Sequence, residues 1–174
     1  MTTLIIEGPD LAGKTYAIEK IAKHFNSGFV LKNSYRPKGE ETTKKIYLHY
    51  FRLIIMIDEF KDKYFEKDPL VILDRFYPSQ AVYSYLRGED ELTSRNIKVL
   101  DGLCKNDMKL IYLDTDLKLL ETRFDALGDE HIKRNNIRKL KERYEEFLKI
   151  TQLKVLRLDT LKKDWIKEVK EFVK

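Results

Sequence analysis

The sequence predicts an α/β fold, a five-stranded parallel sheet with helices on both faces. Five short apolar segments occur along 174 residues, and each is followed by apolar residues at helical spacing, so βα repeats five times. The segments are continuous apolar runs more than alternating ones, which suits strands covered on both faces. A Gly-x4-Gly-Lys-Thr run directly after the first strand sets ligand chemistry at the carboxyl end of such a sheet.

Residues 2–7 are rich in β-branched and apolar side chains and end at Gly8, which makes them the first strand. Lys14–Phe25 sets Ile18, Ile21, Ala22 and Phe25 at helical spacing, and Asn26 with Gly28 supplies the stop. Residues 29–31 form a short second strand. Residues 33–39 hold Pro, Gly, Asn and Ser and are loop, while Glu40 and Glu41 suit the positive first turn of the next helix. Ile46, Tyr50, Ile54, Ile57 and Tyr64 give that long helix one stripe to about Phe65, where Lys67, Asp68 and Pro69 break it. A third strand covers 70–73 and closes on Asp74. A helix over 78–86 carries Pro78 in its tolerated first turn and ends at residues 87–90.

A short helix follows over about 93–104, then a fourth strand over 110–113 ending at Asp114. Leu117, Leu120, Phe124 and Leu127 make the apolar face of the next helix, and Gly128 interrupts it. Ile137, Leu140, Tyr144, Phe147 and Leu148 define another. Residues 155–158 form the fifth strand, and Trp165, Ile166, Val169, Phe172 and Val173 face the core from a closing helix. No repeat, linker or low-complexity tract divides the chain, so residues 1–174 are expected to form one domain.

A hydrophobic share of 43% beside 36% charge describes a globular chain with a heavily charged surface. The single cysteine, Cys104, rules out an internal disulfide; it shares an apolar helix face with Ile97 and Leu100, and a reducing cytoplasm fits. The longest apolar run, residues 53–57, is far short of a membrane span, and Met1 leads straight into a strand. Neither export nor membrane insertion is expected. A net charge of +5 and a pI near 9.1 fit a nucleic-acid partner or a phosphate-rich ligand. Basic residues interleave with acids, as over 139–146, which reads as a solvated helix face with i,i+4 pairs and gives no support to nucleic acid.

Gly8, Pro9, Asp10, Leu11, Ala12, Gly13, Lys14 and Thr15 have the spacing that lets backbone amides wrap a polyphosphate. Lys14 would reach the β and γ phosphates of ATP and Thr15 a magnesium ion (Mg2+). Glycine permits backbone conformations and approaches that a Cβ obstructs, and the following helix turns its positive end to the anion. Residues 70–75 form a second anchor: a buried strand delivers Asp74 to the same sheet edge, where it can hold the metal, and Arg75 can grip a phosphate. The plainer reading of the pair is that Asp74 caps the helix near Pro78 and Arg75 pairs with it.

These residues resemble the thymidylate kinase group of P-loop nucleoside monophosphate kinases, close to the deoxynucleoside kinases. The P-loop with an acid at Asp10, the Asp74-Arg75-Phe76 signature with Ser79 and Tyr83 downstream, and residues 120–144, similar to a lid and its following helix, carry the likeness. The resemblance implies that Asp10 faces the acceptor sugar or magnesium, that Arg75 and the loop residue Arg36 grip the acceptor phosphate, and that Tyr83 lies against the deoxyribose. Position 11 is Leu, so the basic residue some relatives carry there is missing; Arg123, then Lys133 and Arg134, would supply charge from a lid over about 123–136. Base-reading positions fall on Phe51 and Arg52 or on Ile55 and Glu59, and Ser84 replaces an amide. Relatives are commonly homodimers packed through helices of the second and third βα units; the Ile46 to Tyr64 stripe fits that role and burial in the monomer equally.

The expected activity is therefore phosphoryl transfer from ATP to a deoxynucleoside monophosphate, dTMP first, within nucleotide biosynthesis. A deoxynucleoside kinase is the alternative and needs a carboxylate near the end of the second strand; Glu40 and Glu41 sit rather far into the loop. A polynucleotide-directed kinase or nucleic-acid-binding NTPase is the third, suggested by the basic pI.

Overall fold

In β1 (Thr3–Glu7) every residue is buried, in β3 (Val71–Asp74) the first three are, and in β4 (Met108–Leu113) only Lys109 is not. Strands without exposed alternation need a helical layer on each face. β2 (Phe29–Lys32) and β5 (Lys154–Leu158) keep exposed residues and form the two edges. The five strands pair in parallel in the order β2-β3-β1-β4-β5. The structure, a computed structural model, describes residues 2–27, 29–32, 43–64, 70–88, 92–104, 107–129 and 132–174.

One layer is α1 (Lys14–Phe25), packed on β1, β2 and β3, with α7 (Trp165–Val173), which packs on β5 and α1. The other is formed by α2 (Thr43–Tyr64), α3 (Tyr77–Arg87), α4 (Ser94–Cys104), α5 (Leu117–Leu127) and α6 (Ile137–Ile150), in which α2 meets α4 and α6 meets α3, α4 and α5. The predicted stripes point inward: Ile46, Tyr50, Ile54 and Ile57 of α2, Ile97, Leu100 and Cys104 of α4, and Ile137, Leu140, Tyr144 and Phe147 of α6 are buried. The α2 stripe thus serves the chain's own core, while Leu48, Ile55 and Met56 of α2 and Val99 and Leu103 of α4 stay exposed.

A buried carboxylate joins three elements of this layer. Asp101 of α4 has no exposed surface and accepts hydrogen bonds from the Tyr77 hydroxyl, the Thr151 hydroxyl at 2.9 Å and the Gln152 amide at 2.6 Å. With three donors its burial is compensated, as a charge away from water requires.

Three expectations need correction. Leu127 is 75% exposed and does not complete an apolar face, because the last turn of α5 runs past the core; Gly128 then caps it. Residues 139–146 pair between elements as well as along the helix: Lys141 reaches Asp114 at 2.8 Å and Glu145 meets Arg157 at 2.5 Å, beside the i,i+3 pair of Arg143 with Glu146 at 3.0 Å. β2 extends to Lys32 and β4 begins at Met108, both longer than their apolar cores. Gly28, residues 33–39, Glu40, Glu41, Lys67, Asp68 and Pro69 lie outside the described residues. No helix among the described residues is long and apolar enough to cross a membrane.

Candidate active site

The strand order reverses on either side of β1, and the register sets the carboxyl ends of the central strands side by side: Ile6 lies opposite Asp74, and Lys32 opposite Asp74 on the other flank. Crevices at such a switch point are where open α/β sheets bind ligands. The loop from Gly8 to Gly13 emerges there. Gly8 has φ 151°, and a Cβ on it would lie 3.2 Å from Leu113. Gly13 has φ 90° and offers no side-chain cap to α1. The first amides of α1 are thus left for an anion. Ala12 is fully buried, and its carbonyl accepts from the Thr115 hydroxyl at 3.2 Å, which fastens the loop to the end of β4.

A cavity of about 680 Å³ opens over this loop. Asp10, Leu11, Gly13, Lys14, Thr15, Asp74, Arg75 and Arg123 of the predicted set line it. The size suits a nucleotide-scale ligand. Gly8, Pro9 and Ala12 lie behind the wall. Ser79 and Tyr83 do not line it but hold Arg75. Arg36 lies outside the described residues.

Lys14 donates to the carbonyl oxygens of Gly8 at 3.0 Å and Pro9 at 2.7 Å, with Asp10 at 3.7 Å. Burial and the neighbouring Arg75 lower its ammonium to about 7, while Asp10, Glu7 and Asp74 pull the other way. Arg75 sits in the left-handed region at φ 67°, where non-glycine residues are uncommon. Its guanidinium donates to Asp10, to Ser79 at 3.0 Å, to Tyr83 and Tyr144 at 3.3 Å each, and to the Gly8 carbonyl at 3.5 Å. The Tyr83 ring lies 4.9 Å from it, in reach of a cation–π contact. Burial alone would depress this group, yet Tyr83, Tyr144, Asp10 and Glu7 hold it well above its ordinary value.

Asp74 does not cap α3. The amides of Phe76 and Ser79 donate instead to Glu7, at 2.8 and 3.1 Å, so the plainer reading of the Asp-Arg pair fails and Asp74 faces the cavity. Leu11, where a basic residue is lacking, also has positive φ, 65°. Its carbonyl accepts from Arg123 at 2.7 Å, which brings the one lid candidate to the P-loop. Arg134 is held away by a surface pair with Asp125 at 2.6 Å, and Lys133 is exposed and off the cavity. Phe51 packs beside Tyr47, and none of Phe51, Arg52, Ile55 and Glu59 lines the cavity. Ser84 is buried with its hydroxyl unpartnered among the described residues.

Sequence reasoning missed Tyr16, Lys32, Thr160 and Leu161, which also line the cavity, while Leu127 and Asp129 belong to the expected lid segment without having been named as site residues. Lys32 was within reach, since the carboxyl end of any parallel strand faces the crevice. Tyr16 directly follows Thr15 of the P-loop, while Thr160 and Leu161 come from after the fifth strand and carry no local signal. It also missed the role of Glu7.

No family model matches the chain. The SPbeta prophage-derived uncharacterized protein YorR of Bacillus subtilis strain 168 is 27% identical over 161 residues, 92% of this chain and 90% of YorR. The crystal structure of YorR, in complex with phosphorylated GDP, aligns with a TM-score of 0.76 at 26% identity, covering 99% of this chain and 95% of that one. Deoxyadenosine kinase from M. mycoides with bound dATP aligns with a TM-score of 0.57 at 20% identity, over 98% of both chains. The fold is therefore the P-loop kinase-like α/β fold.

Proposed function

We propose that this chain transfers the γ-phosphoryl group of ATP to a deoxynucleoside monophosphate, with dTMP as the leading acceptor. The observation that carries the reading is the charge layout of one cavity, whose wall holds two cations besides Lys14 of the P-loop: Arg75, which shares the Gly8 carbonyl and Asp10 with Lys14, and Lys32 opposite Asp74. Cations beyond that of the P-loop suit a phosphoryl donor and an acceptor that already bears phosphate. A nucleoside kinase needs a carboxylate near the end of the second strand to take a hydroxyl proton; the last described residue there is Lys32, and Glu40 and Glu41 lie outside the described residues.

Thr15 and Asp74 are hard oxygen donors on the cavity wall. Among the described residues no group of three or more His, Cys, Asp and Glu could hold a metal alone, so these two would hold Mg2+ together with phosphate oxygens and water. When bound, the ion neutralises charge on the phosphates. Lys14 and the α1 amides orient the donor tail, and Arg75 the acceptor phosphate. Arg123, on the Leu11 carbonyl beside Gly13, is placed to meet charge developing between them.

A nucleoside acceptor is the second reading. Asp10 offers a cavity carboxylate, and the fold is shared with a deoxyadenosine kinase. YorR holds a guanine nucleotide, so purines belong in the trial set. Coupled ADP release with nucleosides and with monophosphates tests both. A homodimer belongs to the same proposal: Arg52 and Glu59 flank exposed Ile55 and Met56 evenly on α2. Two copies crossing antiparallel there would bring Arg52 to the partner's Glu59, and sedimentation reads the outcome.

A further inference from the structure

Glu7, the last residue of β1, has no exposed surface and is not used by the phosphate-binding loop that follows it. Four donors converge on its carboxylate. One oxygen accepts from the amides of Phe76 at 2.8 Å and Ser79 at 3.1 Å. The other accepts from the hydroxyls of Ser79 at 2.7 Å and Tyr144 at 2.9 Å. These two hydroxyls are also the ones that Arg75 reaches through Nη1, at 3.0 and 3.3 Å.

A hydroxyl has one proton and two lone pairs. With each proton directed at Glu7, the lone pairs of Ser79 and Tyr144 are left to accept from Arg75. Were the protons free to rotate, they could turn toward the guanidinium and repel it. The same carboxylate, by holding the Phe76 and Ser79 amides, pins the turn in which Arg75 takes its positive φ.

We infer that Glu7 is a positioning residue for Arg75, fixing the direction of hydrogen bonding at two relay hydroxyls so that the guanidinium is held in the cavity wall beside Asp10. Glu7 meets no substrate and acts through Ser79, Tyr144 and the turn. The inference rests on the reading of Arg75 as the grip on the acceptor phosphate. Such supporting contacts commonly change affinity or activity by about 10-fold to 100-fold.

The test compares Glu7→Gln with the wild type, using whichever of dTMP, dCMP, dAMP and dGMP the wild type uses best. The acceptor KM should rise about tenfold or more, while the KM for ATP stays within about twofold, since Lys14 and the α1 amides are untouched. A merely structural role would lower the active fraction and leave both KM values alone, and that result overturns the inference. In parallel, thermal unfolding of Glu7→Gln, Arg75→Met and the double variant should show melting-temperature losses that fail to add by about 3 °C or more. Additive losses overturn the relay even in an active enzyme. A wild type that phosphorylates nothing sinks the function proposed above but leaves this cycle to decide the relay. If Glu7→Gln does not fold, Ser79→Ala and Tyr144→Phe each remove one hydroxyl and should show the same split between the two KM values; unchanged acceptor KM in both overturns the inference.

Discussion

The Lys14 ammonium rests on two carbonyls of its own loop, in the wall of the cavity where a β or γ phosphate oxygen would arrive. Under the proposed reaction, replacing it would remove positive charge beside the transferring group. Lys14→Met is expected to lose about 100-fold or more in turnover with a melting temperature near that of the wild type; an active variant in a coupled assay would contradict the assignment. Arg75→Ala should raise the KM for the acceptor far more than that for ATP, and a selective loss of ATP affinity would count against its role. Gly8, Gly13, Lys14 and Thr15 were legible because a polyphosphate cradle dictates both their types and their spacing. Leu11 was legible only as a missing cation: nothing in the sequence signals that it takes a left-handed φ or that its carbonyl receives Arg123.

Helix faces were legible where one side of the helix meets the core, since burial then imposes the 3.6-residue period; α2, α4, α6 and α7 behave so. The period misleads at Leu127, whose turn extends beyond the core to the cavity mouth. Buried polar residues were not legible at all, because a lone Asp or Glu looks the same in sequence whether solvated or enclosed. Asp101 is the clearest case at this scale, joining α3, α4 and the C-terminal end of α6. Asp101→Asn puts an amide among donors and should destabilise the fold by about 2–3 kcal/mol, read from urea unfolding. An unchanged midpoint would show that the network contributes nothing net. The Asp116 side chain accepts from the amides of Lys118 and Leu119 at the start of α5, so Asp116→Ala should cost about 1 kcal/mol without moving Arg123 out of reach.

Parallel pairing and coverage on both faces follow from five buried runs alternating with helices, but strand order does not, because it depends on which crossovers the packed helices allow. The order actually adopted is what brings Lys32, Asp74 and the P-loop into one crevice, and no local signal in the sequence announces that meeting. Charge pairs also act between elements here. Asp114, after β4, accepts from Lys141 of α6 and Arg157 of β5; burial opposes its ionisation, but those two cations hold its carboxyl below the usual value of 3.8. Its stabilising contribution is therefore full above that value and fades as pH falls through the lowered one. Asp114→Asn should cost about 1 kcal/mol at pH 7, and unfolding curves of variant and wild type should converge in acid; a gap that persists there would contradict the pairing. The reaction itself is tested most directly by ADP release from ATP and Mg2+ across deoxynucleosides and their monophosphates, purines included. Release with dTMP or another monophosphate and none with thymidine is the expected result, whereas release with nucleosides alone, or with no acceptor at all, would contradict the proposed transfer to a monophosphate.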